Sequence, residues 1–333
     1  MLVIPPGSVD PSHFDKLICV RCGIQYEEND CAQRTNCRTC DDPREAVPPT
    51  GQAWTTLRNL YTTSLAKSST EPKYTIELST DPREPNVTIL TTRPRFGIGQ
   101  SSFILNTPHG LVIWEIMPFL DQPTVDAINA IGQVKAIAIS HPHFYSTPFM
   151  WSEAFGNVPV YINNADEDWL MTRDKNNVVV SWDNEVEVLP GVRVVQLGGH
   201  FPGSSVLVFD DKLFVADTIV VTPAALSRHH REEGYTGFSF QWSVINFIPL
   251  APARVSKMWA KIRKLNFSIV YGGWELSPGH MQIVRDSEMD EREKERGWTA
   301  KHKILDSMRQ QVRAMGHEIT PDMGLVADDD KDS

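Results

Sequence analysis

Lys135-Ala-Ile-Ala-Ile-Ser-His-Pro-His143 sets a short apolar run directly before two histidines separated by a single proline. The run reads as a buried strand. Upstream, Leu111 to Met117 reads as another strand, Asp121 suits a helix N-cap, and Val125, Ile128 and Ile131 form one helical face closed by Gly132, which together predict a strand-helix-strand unit. His141 and His143 then stand at the carboxyl end of a strand, where open α/β sheets place their ligands and where both imidazoles can turn toward one metal. Alone, the pair equally describes surface or capping histidines.

Two further segments repeat the pattern. Val192 to Leu197 reads as a strand running into Gly198-Gly-His-Phe-Pro-Gly-Ser204, and Ser205 to Phe209 with Leu213 to Ala216 flank Asp210-Asp-Lys212 as a hairpin. Its second strand ends in Asp217. Three separate strands therefore each finish on a His or an Asp.

On these residues the chain resembles the metallo-β-lactamase fold superfamily over roughly residues 75 to 275. Ser140-His-Pro-His143, Gly199-His-Phe-Pro-Gly-Ser204 and Ala216-Asp217 stand in the order of that superfamily's metal loops. The resemblance implies an α/β four-layer αββα sandwich, with His141, His143 and His200 as ligands of a first metal and Asp217 as the carboxylate that bridges two metals in dinuclear members. Where the pattern continues with Asp and His, this chain has Phe144-Tyr145-Ser146. Where it ends in a final His, Ile269-Val-Tyr-Gly-Gly-Trp274 supplies Trp274. The three residues belonging only to a second metal are replaced together, so one cleft metal is expected. A rival alignment of the last motif uses Ser277-Pro-Gly-His280. Ser146 or Thr147 before Pro148 also reads as an ordinary helix start, and Tyr145 either packs or approaches the water on the metal.

All five cysteines fall between Cys19 and Cys40. Cys19-Val-Arg-Cys22 and Cys37-Arg-Thr-Cys40 are two CxxC pairs at zinc-ribbon spacing, a closed S4 shell that folds a segment too short to bury its own core. A redox dithiol or a pair of disulfides are the competing readings, and Cys31 is a bystander. The expected organisation is a zinc-ribbon segment over 15–45, a Pro, Thr and Ser-rich connector over 46–74, the metallo-β-lactamase-like domain over 75–320 and an acidic tail over 326–333.

The 333 residues carry 42 acidic side chains against 32 Lys and Arg, a net charge of −10. That balance argues against broad contact with nucleic acid or anionic membrane, and leaves a small molecule as the expected partner. The amino terminus lacks the charged and apolar regions of a signal peptide, no membrane segment is evident, and cysteines confined to one block do not form a secreted disulfide framework. A reducing, cytoplasmic location is expected. Asn86 and Asn266 match the glycosylation pattern but mean little without a secretory route.

Zinc held by three imidazoles and Asp217 leaves room for a water whose pKa it lowers to about 7, and it polarises a carbonyl. The chain is therefore expected to be a zinc-dependent hydrolase that opens a lactam, cyclic carbamate, lactone or ester by a metal-bound hydroxide, with one catalytic and one structural Zn2+. Iron is the alternative occupant of the cleft. Asp217 and Tyr145 are the catalytic candidates. No nucleophile elbow, Walker loop or dinucleotide fingerprint supports other chemistry. The ribbon, followed by Gly51-Gln-Ala-Trp-Thr-Thr-Leu57, also resembles fungal and bacterial metallo-β-lactamase-like proteins, some fungal members of which degrade plant benzoxazolinone-type compounds, which extends the expectation to detoxification. Trp274, Phe240 and Trp242 are candidate substrate contacts, and the aromatic residues between Thr222 and Pro252 either wall the cleft or pack the core. A thioester hydrolase, or a scaffold that keeps the fold without turnover, are the other readings. Val255, Met258, Trp259, Ile262 and Leu265 read as core. Ile304, Leu305, Met308, Val312 and Met315 read as a last amphipathic helix, and His229, His230, His302 and His317 read as exposed.

Overall fold

Side-chain alternation and helical periodicity resolve into two compact units, one holding residues 1–183 and 188–190 and the other residues 184–187 and 191–333. The computed structural model describes residues 5–63, 74–227 and 234–326. His229, His230 and the acidic tail from Ala327 onward lie outside the described residues, as does part of the expected connector.

The first unit is built on a seven-stranded sheet whose order follows the chain. Thr75–Asp81, Glu84–Arg93, Ser102–Thr107 and Gly110–Trp114 pair antiparallel in succession. Val134–Ala138, Val160–Asn163 and Val179–Trp182 then continue the sheet in parallel. A parallel step needs a crossover, and the helix Gln122–Ile131 supplies the first one. Asp121 caps it by accepting from the Thr124 backbone N–H at 3.0 Å, and Gly132 closes it. The following helix, Pro148–Ala154, begins after Thr147. Its Trp151 indole N–H donates to the Met117 carbonyl at 2.8 Å. That bond spends the polar end of a fully buried ring on the loop after the fourth strand.

The strand expected over Leu111 to Met117 ends at Trp114. Glu115 has a φ of 63°, a left-handed backbone that no strand continues. The connector contains more structure than its composition suggests. Trp54–Thr56 pairs antiparallel with Leu17–Cys19, and the helix Leu57–Thr63 buries Leu57, Leu60 and Tyr61.

The second unit holds a six-stranded sheet ordered Glu185–Leu189, Val192–Gln196, Ser205–Phe209, Lys212–Phe214, Ile269–Ser277, His280–Arg285. Ser205–Phe209 and Lys212–Phe214 form the expected hairpin, with Asp210 in the left-handed region at its turn. Lys212–Phe214 and Ile269–Ser277 run parallel, and the chain between them carries the helix Pro252–Ile262. Val255, Met258, Trp259 and Ile262 of that helix are buried at helical spacing. Ile304, Leu305, Met308 and Val312 of the last helix, Ala300–Ala314, join them in one apolar core. The Thr299 hydroxyl and His302 ring form a capping box at the start of the last helix, which gives His302 an ordinary structural role.

Each unit thus supplies one mixed β-sheet with helices, the α/β class implied by the resemblance. Among the described residues no helix is long and apolar enough to cross a membrane.

Candidate metal centre

Ser140 follows the strand Val134–Ala138 and fixes the first histidine. Its backbone N–H donates to Glu115 Oε2 at 3.2 Å, and its hydroxyl lies 2.7 Å from His141 Nδ1. Glu115 is fully buried. The acid that interrupts the apolar run 111–117 therefore orders the loop bearing both histidines, a role the sequence reading missed although a lone carboxylate at a strand end was its signal. Pro142–Phe144 forms one turn of 3-10 helix, which brings the His141 and His143 rings to a centroid separation of 5.2 Å.

In the second unit, the loop after Val192–Gln196 is cinched by its own polar groups. The Leu197 and Gly198 N–H groups both donate to the Ser204 carbonyl at 2.8 Å, and Ser204 Oγ accepts from the Phe201 N–H at 2.8 Å. Gly198 and Gly199 take φ values of 71° and 94°, which glycine adopts without a Cβ penalty. Thr218 next to Asp217 donates to the Gly198 carbonyl at 2.6 Å. That bond ties the His200 loop to the end of the hairpin, and His200 Nε2 lies 3.5 Å from Asp217 Oδ2.

All four expected donors are brought together. One nitrogen each of His141, His143 and His200 and one carboxylate oxygen of Asp217 lie within 4.8 Å of one another, and all four residues are buried. A tetrahedral ion with bonds of about 2.0–2.1 Å separates its ligand atoms by roughly 3.4 Å, so the group needs only a small contraction to close on a metal. Three imidazoles with one carboxylate is a donor set suited to zinc and to other borderline divalent ions.

Tyr145 and Ser146, at the places where the resemblance implies an Asp and a His of a second metal, are both buried, as is Phe144 before them. Phe144 is fully buried, with its ring centroid 4.5 Å from that of His141. Tyr145 is also buried, and its hydroxyl has no hydrogen-bond partner among the described residues. Burial, then the nearby Asp166 and Glu115 carboxylates, push this phenol well above its ordinary value.

Trp274 is half-buried on the strand Ile269–Ser277. A Cβ on its neighbour Gly273 would meet the Val215 carbonyl and Ala216 Cα at 3.8 and 3.9 Å, so this part of the strand runs beside the segment that ends in Asp217. His280 is exposed, with its ring 3.1 Å from Ser277 Oγ, and is outside the donor group. Phe240, expected as a substrate contact, is fully buried in the core of the second unit, and Trp242 packs against that core half-buried. The physical reason is local: the Phe240 N–H and C=O both bond the Gln311 side chain of the last helix, which draws the aromatic segment inward. Phe247 alone of its aromatic residues is widely exposed, at 84%.

The second donor group is Cys19, Cys22, Cys37 and Cys40, all buried. The thiols are free and approach at 3.5 and 3.6 Å. Zinc–sulfur bonds of about 2.3 Å in a tetrahedron imply sulfur separations of roughly 3.8 Å, and the group fits a zinc ribbon. Tyr26 Oη donates to Cys37 Sγ at 3.1 Å and Gln52 Nε2 to Cys19 Sγ at 3.2 Å. Hydrogen bonds from Cys22, Cys37 and Cys40 pull the Cys19 thiol below its ordinary value. Cys31 is exposed and apart from the group.

No family model matches the chain. It is 33% identical over 264 residues to the uncharacterized protein YmaE of Bacillus subtilis strain 168, a match spanning 77% of this chain and 88% of YmaE. Among solved structures it is similar to a metallo-β-lactamase from Staphylococcus aureus subsp. aureus COL, at 14% identity and a TM-score of 0.42 over 75% of this chain and 69% of that one. The mono-zinc form of the metallo-β-lactamase FIM-1 from Pseudomonas aeruginosa gives 10% and 0.43 over 65% and 93%. The metal-soaked Flv1 flavodiiron core from Synechocystis sp. PCC6803 gives 12% and 0.43 over 72% and 62%. The three metal loops stand in the order that the metallo-β-lactamase resemblance implies, with their donors gathered, and the chain belongs to one family with YmaE.

Proposed function

We propose that the chain is a zinc-dependent hydrolase with a single metal in its cleft, acting on a small carbonyl substrate such as a lactam, cyclic carbamate, lactone or ester. One observation carries the reading: the buried group of three histidines and Asp217. A bound zinc would supply Lewis acidity, activating water and polarising a carbonyl.

The chain's own residues account for the remaining work. His141, His143 and His200 would hold the ion through ring nitrogens, with Ser140 Oγ at His141 Nδ1 fixing that ring's orientation. Asp217 contributes negative charge and a second oxygen able to take up a proton. Tyr145, kept neutral by burial, can donate its proton to an oxygen or nitrogen that gains charge as a carbonyl bond opens. Tyr145 and Ser146 stand where the resemblance implies the Asp and His of a second metal, which favours one-metal chemistry over reactions needing a metal pair. Trp274 is the proposed aromatic contact for the substrate, with detoxification as the proposed setting and a small molecule as the proposed partner.

Metal analysis joined to a hydrolysis panel tests this. The parent should hold two zinc ions per chain, and His200→Ala should hold one, with loss of turnover on any lactam, lactone, carbamate or ester that the parent opens. Equal metal content in both proteins would refute the ligand set. Metal loss with no turnover by the parent on any such substrate would instead favour a scaffold.

A further inference from the structure

Arg254-Val-Ser-Lys-Met-Trp-Ala-Lys-Ile-Arg-Lys264 carries five basic and no acidic side chains, in a chain whose net charge is −10. The helix Pro252–Ile262 and the turn after it sort these residues by face. Val255, Met258, Trp259 and Ile262 are buried, and a buried apolar face leaves the cations to the other side. Arg254, Lys257, Arg263 and Lys264 are exposed, and Lys261 is half-buried. Lys261 Nζ donates to the Gln196 carbonyl at 2.5 Å. The other four have no ion pair and no side-chain hydrogen bond among the described residues. Like charges three and four positions apart on a helix repel one another, so this stripe favours a partner of opposite sign.

The segment after the last helix is pinned to the flank of this same helix. Pro321–Met323 forms a 3-10 turn, and Ser256 Oγ donates to the Met323 carbonyl at 2.6 Å. A Cβ on Gly324 would lie 3.9 Å from Arg263 Nη1. Leu325 is fully buried in the apolar core that the helix helps to build, and its carbonyl accepts from Arg309 Nε at 2.6 Å. Three residues beyond this anchor the sequence runs Asp328-Asp-Asp-Lys-Asp332, four carboxylates against one cation. Five residues reach at most about 17 Å from their anchor, and a helix of this length is about 16 Å long. The tether therefore spans the stripe.

We infer that the acidic segment Asp328 to Asp332 is the occupant of the basic stripe on Pro252–Ile262, an intramolecular cover for the cationic face of the second unit. The inference stands apart from the hydrolase reading. Exposed ion pairs are individually weak, but a short tether raises the effective concentration of the carboxylates to the millimolar range, and several of them meet several cations at once. A foreign polyanion has to displace this cover before it can use the stripe. Screening by salt loosens the cover, because every contact in it lies at the surface.

Amine-reactive footprinting of the full chain, read by mass spectrometry at Lys257 and Lys264, tests this against a variant combining Asp328→Asn, Asp329→Asn, Asp330→Asn and Asp332→Asn. In low salt both lysines should label severalfold faster in the variant than in the parent, while the exposed Lys175 of the first unit labels equally in both. The gap should close at about 1 M salt, where the screening length is about 3 Å. On a heparin column, with heparin as the probe polyanion, the variant should elute later than the parent, and adding Lys257→Ala and Lys264→Ala to it should return elution to the parental position. Urea midpoints should agree, since all these changes are to surface charges. Equal labelling of Lys257 and Lys264 in the two proteins would overturn the inference. Equal heparin retention would overturn it as well, by showing the stripe equally open, or equally closed, with and without the carboxylates.

Discussion

Gly199→Ala, one residue before His200, is the sharpest local perturbation of the second unit's half of the metal centre. Two costs add there. The φ of 94° lies where an L side chain is strained, at about 1–2 kcal/mol. The new methyl would also stand 2.7 Å from Thr218 Oγ1, 2.9 Å from Leu250 Cδ1 and 3.1 Å from Met258 Sδ. Overpacking of that kind costs about 1–3 kcal/mol. The sum is about 2–5 kcal/mol, a large share of a typical domain's stability of about 5–15 kcal/mol. Gly191→Ala is the internal control, since its φ of 83° is equally left-handed but nothing lies within 4 Å of the added carbon. It should lose only the backbone share. Equilibrium urea unfolding of both variants, at a common slope, reads the difference directly. The reasoning is refuted if Gly199→Ala costs no more than Gly191→Ala. Because the methyl presses on Thr218, whose hydroxyl holds the Gly198 carbonyl, Gly199→Ala should also weaken cleft zinc while Gly191→Ala leaves it alone.

Glu115→Ala removes the acceptor at the buried Ser140 N–H; a loss of about 1–3 kcal/mol is expected in urea unfolding, with weaker cleft zinc because His141 follows directly. Wild-type stability within 0.5 kcal/mol, roughly the range of an inert surface change, would contradict that. On the acid side, hydrogen bonding from Arg34 holds Glu28 below its ordinary 4.5. Burial works to raise Asp42, but the Arg44 side-chain and backbone donors outweigh it and hold that carboxyl below 3.8. Both groups bind fewer protons folded than unfolded, so their stabilisation is present above those ordinary values and lost as pH falls through the lowered ones. Acid titration followed by tyrosine and tryptophan fluorescence should show the parent losing more stability below about pH 4.5 than an Asp42→Asn, Glu28→Gln variant. Identical acid profiles would remove these two carboxylates from the account.

Much of the centre was legible because its donors are local in sequence to the strands that aim them. His141, His143, His200 and Asp217 each follow an apolar run within a few residues, and periodicity locates such runs. The four thiols were legible for the same reason, paired by a spacing that a single turn enforces. Asp121 and Gly132 bracket a helix by backbone chemistry confined to its own ends. What escaped depends on contacts distant in sequence. Glu45 Oε1 comes within 3.9 Å of His143 Nδ1 across nearly a hundred residues, and nothing in Pro43-Arg44-Glu45 announces the approach. Phe240 was ambiguous because an aromatic ring suits a cleft wall and a core equally well, and Gln311, some seventy residues on, decides between them. The early strands Thr75–Asp81 and Glu84–Arg93 are rich in Thr and alternate weakly, so their pairing with each other, and of the second with Ser102–Thr107, defines them.

The ladder joining Leu17–Cys19 to Trp54–Thr56 bears on how the cysteine-rich segment handles its ion. All four thiols sit on the stretch of chain between or at the edge of those strands, so the mouth of that loop is zipped by main-chain bonds independent of any coordination. Most of the entropy of closing a loop of that length is already spent by the zipper. Stripping the ion therefore leaves a tethered purse and not two loose ends, and reloading asks only for four sulfurs to swing inward.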